Sequence, residues 1–159
     1  MFWLHDFCMA TLAFQQIILD QEGPGFGVYK QAGVAIKDGG VLAPNGILGF
    51  APVGAAAQGN NIVFSLMNQS ATETRKLAIE AADYGLRLTV TLSGVATIAN
   101  TAAGARYALG LDATTGHYFA NSAVSTTPFF EITEFAPNDL NGRMGDTNVR
   151  VRCRVNPLV

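Results

Sequence analysis

Val149-Arg150-Val151-Arg152-Cys153-Arg154-Val155 alternates apolar and cationic side chains without interruption. Successive side chains of a strand point to opposite faces, so this period of two reads as a strand. Val149, Val151, Cys153 and Val155 share a core face, and Arg150, Arg152 and Arg154 form a row on the other. The same period runs through Leu86 to Ser93, where Leu86, Leu88, Val90 and Leu92 alternate with Arg87, Thr89, Thr91 and Ser93. Two half-buried strands of this kind call for a sheet packed on a core by one face.

Outward from these strands the chain is a series of short apolar runs divided by turn residues. Val34 to Lys37, Val41 to Ala43, Ile47 to Val53 and Asn61 to Met67 are separated by Asp38-Gly39-Gly40, Pro44-Asn45-Gly46 and an Ala/Gly tract that ends at Asn60. Close spacing with Asp-Gly and Asn-Gly corners predicts hairpins of a barrel or sandwich. Tyr107 to Leu111 and His117 to Phe119 flank a turn at 112–116 and read as another hairpin, and Phe129 to Phe135 reads as a strand before a polar loop. Thr11 to Leu19 fits a first strand or a short helical turn, Gly23 to Gly27 fits a loop, and Ala96 to Ala99 extends the strand at 86–93 past a bulge at Gly94.

One helix is expected. Ser70-Ala71-Thr72-Glu73 has the pattern of a capping box, Leu77, Ala81 and Tyr84 follow at i, i+4 and i+7, and Gly85 can close the helix. The spacing predicts a short α-helix over about residues 71–84. The reading is therefore a mainly β chain: a compact β-barrel or sandwich with that helix. An apolar, extended N-terminal arm over 1–10 precedes a single β-rich domain over 11–159.

The 159 residues suffice to bury about two-thirds of the surface of the unfolded chain, so neither disulfides nor metals are required. Hydrophobic residues make up 49% and charged residues 14%, against about 25% charged in an average soluble domain. So little charge leaves apolar surface to be covered by a partner. A net charge of −2 argues against a dedicated nucleic-acid binder. Cys8 and Cys153 lack any metal or redox spacing and are expected as free thiols. No apolar run approaches the length of a membrane span. The start has no cationic region before Lys30, and Met9 would also serve as a start. Phe2, Trp3, Leu4 and Phe7 make the arm a candidate partner anchor, since each gains about 1.5–3 kcal/mol on full burial.

Catalytic chemistry finds little to stand on. A triad needs a histidine, and only His5 and His117 are present, with no Gly-x-Ser-x-Gly elbow. Asp139 and Asp146 lack calcium-loop spacing, and Pro24 interrupts the glycines at 23–27. Glu131 and Glu134 are three apart on a strand, which sends them to opposite faces and rules out a carboxylate pair from that strand alone. No catalytic residue, cofactor or metal site is assigned, and the chain is expected to be a binding protein rather than an enzyme. The row of Arg150, Arg152 and Arg154 is either a solvated face that discourages edge aggregation or a contact for an acidic partner through arginine–carboxylate pairs.

Two stretches carry a family resemblance. Ala35-Ile36-Lys37-Asp38-Gly39-Gly40-Val41, followed by Gly46 to Gly59 and Ile62-Val63-Phe64, resembles the capsid decoration (cement) proteins of tailed bacteriophages. Asp146 to Arg152 resembles their closing strand, and together the stretches cover about a third of the chain. The apolar extension before Ala10 and the expected helix depart from the simple pattern. The resemblance implies a small β-domain, often a homotrimer, on the capsid surface of a virion, with the major capsid protein as its partner. It would clamp adjacent capsid subunits by many modest contacts made together. A receptor- or glycan-binding β-module of a phage tail appendage is the alternative, and it should show clustered exposed aromatics. Neither nucleic acid nor membrane is expected as a partner.

Overall fold

The computed structural model describes residues 9–20, 26–46, 49–55, 57, 61–83, 86–135 and 142–156. It is mainly β: β1 (Ile18–Leu19), β2 (Phe26–Val28), β3 (Val41–Pro44), β4 (Phe50–Pro52), β5 (Val63–Ser65), β6 (Leu77–Ala81), β7 (Arg87–Thr91), β8 (Arg106–Leu111), β9 (Tyr118–Asn121), β10 (Phe130–Glu134) and β11 (Arg150–Val155). They form a six-stranded sheet in the order β1-β7-β11-β10-β8-β9 and a five-stranded sheet in the order β2-β6-β5-β3-β4.

The larger sheet curls into a half-barrel. Leu92 bridges Ala120, and the Ser93 N–H donates to the Ala120 carbonyl at 3.0 Å, so β9 returns to the end of β7. The alternation seen in β7 and β11 sets the inner face: Val90 lies opposite Val151 and Leu88 opposite Cys153, while Ile132 and Phe130 continue the layer on β10. All of these side chains are buried, together with Tyr107 and Leu109 of β8.

The smaller sheet covers this core from outside with Val41 and Phe64. Phe64 meets Phe129 edge-on with ring centroids 6.3 Å apart, and Phe129 meets Phe130 at 4.8 Å, geometries that aromatic quadrupoles favour. Its opposite face buries Leu42, Val63, Leu77 and Ile79 beneath Ile36, forming a second, smaller core. Because both faces are covered, Val63-Phe64-Ser65 is buried throughout and shows no alternation.

The expected helix at 71–84 is not formed. Half of the capping box exists, since the Ser70 N–H donates to Glu73 Oε1 at 3.1 Å, but it closes a turn and the chain then enters β6. β6 lies between β2 and β5, with Ile79 opposite Phe26 on one side and Ser65 on the other. Leu77 and Ile79 are both fully buried with Ala78 exposed between them, a period of two that a helix would break. Pairing on two sides and that burial outweigh a local helix preference of a few tenths of a kcal/mol per residue. Tyr84 and Gly85, the far end of the expected helix, lie outside the described residues.

Two smaller expectations also change. β7 does not continue through Ala96 to Ala99. Gly94 takes a positive φ of 81°, and a turn follows in which the Thr97 N–H donates to Asn100 Oδ1 at 2.7 Å and the Asn100 N–H to Thr97 Oγ1 at 3.2 Å. Glu131 and Glu134 do not point to opposite faces: an irregularity in the register after Ile132 adds a residue, and both pair with the outer arginines of β11.

Candidate functional site

The strands of the half-barrel bring one charged line together. Arg87 on β7 stands opposite Arg154 on β11, Arg154 opposite Glu131 on β10, and Glu131 opposite Arg106 on β8. Like charges directly opposite destabilise a sheet, and the single carboxylate offsets this by taking guanidiniums from both sides. Arg154 Nε donates to Glu131 Oε1 at 3.0 Å, and Arg106 Nε to Glu131 Oε2 at 2.8 Å. The hydrogen bond from Arg154, aided by that from Arg106, holds the Glu131 carboxyl below the usual glutamate range. One turn of register further on, Arg152 Nη1 donates to Glu134 Oε1 at 2.9 Å on the exposed face.

The line thus carries three guanidiniums against one carboxylate, a surplus of +2 over Arg87, Arg106, Arg154 and Glu131. Arg152 and Arg154 are half-buried, whereas Arg87 and Arg106 are exposed. The third member of the expected row has a different place. Arg150 is buried and donates to the carbonyls of Gln16 at 3.0 Å and Thr89 at 3.2 Å, locking the N-terminal segment to β7. Burial pushes its pKa down while Asp20 opposes the shift. Arg87 and Arg106, which stand in line with Arg154, were not singled out from the sequence, because cross-strand register cannot be read from one strand.

The N-terminal segment runs along the half-barrel toward one end. Phe14 stacks on Phe119 with centroids 4.5 Å apart, and Phe119 in turn lies across Gly110, where a Cβ would come within 2.3 Å of the ring. Further back, Asp146 Oδ1 accepts the Ala10 N–H at 2.9 Å, and the Thr147 N–H donates to the Ala10 carbonyl at 2.7 Å. Phe2, Trp3, Leu4 and Phe7, the expected anchor, lie outside the described residues, as does Cys8. Cys153 is a free, buried thiol whose pKa burial raises well above the ordinary range.

Around Met9 the end of the half-barrel carries exposed apolar side chains beside the Arg143–Asp146 ion pair. Val95, Ile98 and Met144 are exposed there, and Ile98 reaches 80% exposure. Phe26 and Tyr29 are exposed at the opposite sheet, on and just after its edge strand β2. They do not make one platform. Phe26 shares the face of Ile79, while Tyr29 lies with Gly27 under Lys76, whose Nζ is 5.5 Å from the Tyr29 ring centroid.

A cavity of about 240 Å³ between the sheets is lined by Leu42, Pro52, Leu111 and Tyr118, with Lys37 at its polar side. The Tyr118 hydroxyl donates to the Val53 carbonyl at 2.6 Å, and burial pushes its pKa up to about 12. His117 beside it is held below the usual histidine range, first by burial and then by Lys37, with Asp112 opposing. Among the described residues no cluster of three or more His, Cys, Asp or Glu side chains could hold a metal ion, and no helix is long and apolar enough to cross a membrane. No family model, curated protein or solved structure matches the chain.

Proposed function

We propose that the chain is a viral structural protein of the capsid decoration (cement) class. In this reading it binds the outer capsid surface of a virion as a homotrimer and clamps adjacent subunits of the major capsid protein. Of the stretches that resemble such proteins, Val41, Phe50 to Pro52 and Val63-Phe64 fall on β3, β4 and β5, which are neighbours in the smaller sheet, and Arg150 to Arg152 fall on β11, which is central to the larger one. They therefore belong to the framework of both sheets.

The observation that carries the reading is the line of Arg87, Arg154, Glu131 and Arg106. Its register fixes the spacing of the guanidiniums across rigid strands, and the surplus of positive charge suits carboxylates on a partner surface through bidentate pairs. One such contact is modest. Three copies engaging a repeated epitope together make attachment effectively permanent.

The test replaces Arg87 and Arg106, whose exposure makes them tolerant of substitution, and leaves the Arg154–Glu131 pair in place. Shells lacking the protein are mixed with wild type or with R87Q/R106Q and sedimented at low and high salt. The reading predicts weaker attachment of the variant and a smaller salt dependence. Wild-type attachment by the variant at both salt concentrations would overturn it.

A further inference from the structure

We infer that the segment Met1–Cys8 of one copy seats on the apolar end of the half-barrel of a neighbouring copy, around Val95, Ile98 and Met144. The inference shares with the preceding section only the association of copies, and its test contains no shell, so the two fail separately.

The receiving surface is defined by several independent contacts. The Gly145 N–H donates to the Ala96 carbonyl at 2.9 Å and the Ala96 N–H to the Asp146 carbonyl at 2.8 Å, which sets Met144 beside Val95. Thr97 to Thr101 then forms a tight turn that holds Ile98 outward, tied by the Thr101 N–H to the Thr97 carbonyl at 3.1 Å. No Lys, Arg, Asp or Glu occurs between Arg87 and Arg106, so the whole of this loop is uncharged. Four large apolar side chains, Met9, Val95, Ile98 and Met144, stand exposed at this end. Apolar side chains grouped at one place on a sparsely charged protein mark an interaction surface.

The occupant is indicated by where the described chain begins and by what precedes it. β1 is antiparallel to β7, so the chain traced back from Ile18 runs toward the end at which β7 finishes. Ala10 is fastened there by Asp146 and Thr147, and Met9 packs against Gly145. Eight residues precede Met9, with Phe2, Trp3, Leu4 and Phe7 among them and Asp6 as the sole carboxylate. Fully extended, eight residues span up to about 26–29 Å, enough to cross to an adjacent copy. Coverage of the copy's own end is the competing arrangement, and the concentration dependence of the emission separates the two. Exchange between copies buries the apolar segment and the apolar end together, and a reciprocal exchange closes a symmetric oligomer.

Trp3 is the single tryptophan of the chain, so its emission reports on this segment alone. Full-length protein is compared with I98K, which places a charge on the receiving surface, and with W3S/F7D, which disables the segment and removes the fluorophore. Circular dichroism confirms folding, and A99K on the same exposed turn replaces I98K should that variant fail to fold. The expected result is a blue-shifted, concentration-dependent emission in an oligomeric wild type. I98K should emit at longer wavelength and elute as a smaller species, and W3S/F7D, which has no tryptophan, should likewise elute as a smaller species. Mixing the two variants should restore the blue shift, because the intact segment of I98K meets the intact surface of W3S/F7D. A mixture that stays red-shifted overturns the inference. So does a wild-type blue shift that is independent of concentration, which places the segment on its own copy, or an I98K emission equal to wild type.

Discussion

Replacing Glu131 by glutamine should destabilise the domain, and the loss should vanish in acid. The carboxylate is 8% exposed at the side chain, whereas its partners Arg106 and Arg154 are 43% and 36% exposed. Hydrogen bonds to charged groups contribute about 1.5–3 kcal/mol each when buried, and exposed ion pairs only about 0.2–1 kcal/mol. With one partner buried and the others wet, the two interactions together should give about 1–3 kcal/mol. In E131Q the line of Arg87, Arg154 and Arg106 loses the Glu131 carboxylate, so the repulsion between Arg87 and Arg154 is offset less and adds to the loss. A domain of this length shifts its Tm by about 2–4 °C per kcal/mol. The folded-state pKa of Glu131 is depressed, so its stabilisation is complete above the unfolded glutamate pKa and disappears as pH falls through the folded value. Urea unfolding followed by circular dichroism at neutral pH and in acid measures both arms. Equal stability of E131Q and wild type at neutral pH, or a gap that persists unchanged well below the glutamate range, would refute the reasoning.

Ser70→Ala should change stability by less than about 0.5 kcal/mol, because the Ser70 hydroxyl meets Thr72 Oγ1 at 3.3 Å and the Glu73 carboxylate on the exposed surface, and caps no helix. A loss of 1 kcal/mol or more in urea unfolding would restore the capped helix. In a C8S background, Cys153 should resist a thiol reagent in the native state and react only at the rate of unfolding, since it is 1% exposed and its thiol is held protonated. Labelling as fast as that of a small-molecule thiol would contradict its burial. R150Q should cost more stability than R152Q, because Arg150 is buried on two backbone carbonyls while Arg152 meets Glu134 at the surface. Equal denaturation midpoints would overturn the distinction.

The half-barrel was legible in the sequence wherever one face is buried and the other is not. β7, β11 and the β8–β9 hairpin follow from alternation and turn residues, as does β10. Legibility failed where the apolar spacing fits a helix as well as a strand. In β6 the residues Leu77 and Ile79 satisfy a strand, while Leu77 and Ala81 equally satisfy a helix, and a capping-box pattern at 70–73 tipped the local reading the wrong way. Only the neighbours β2 and β5, brought from distant sequence, decide the matter. The candidate site divides in the same manner. Arg152 and Arg154 were visible as an outer row, but the burial of Arg150 depends on a carbonyl of Gln16, 134 residues away in sequence. The in-line partners Arg87, Glu131 and Arg106 come from three other strands, and the irregularity at Ile132 that brings Glu131 and Glu134 to one face leaves no mark in composition.

Imaging native particles by electron cryo-microscopy tests the account most directly. The reading as a decoration protein predicts compact density of this β-domain at regular positions on the outer surface of the shell, three copies together, seated where neighbouring capsid subunits meet. Particles whose shells carry no such density, or density confined to the tail, would contradict it.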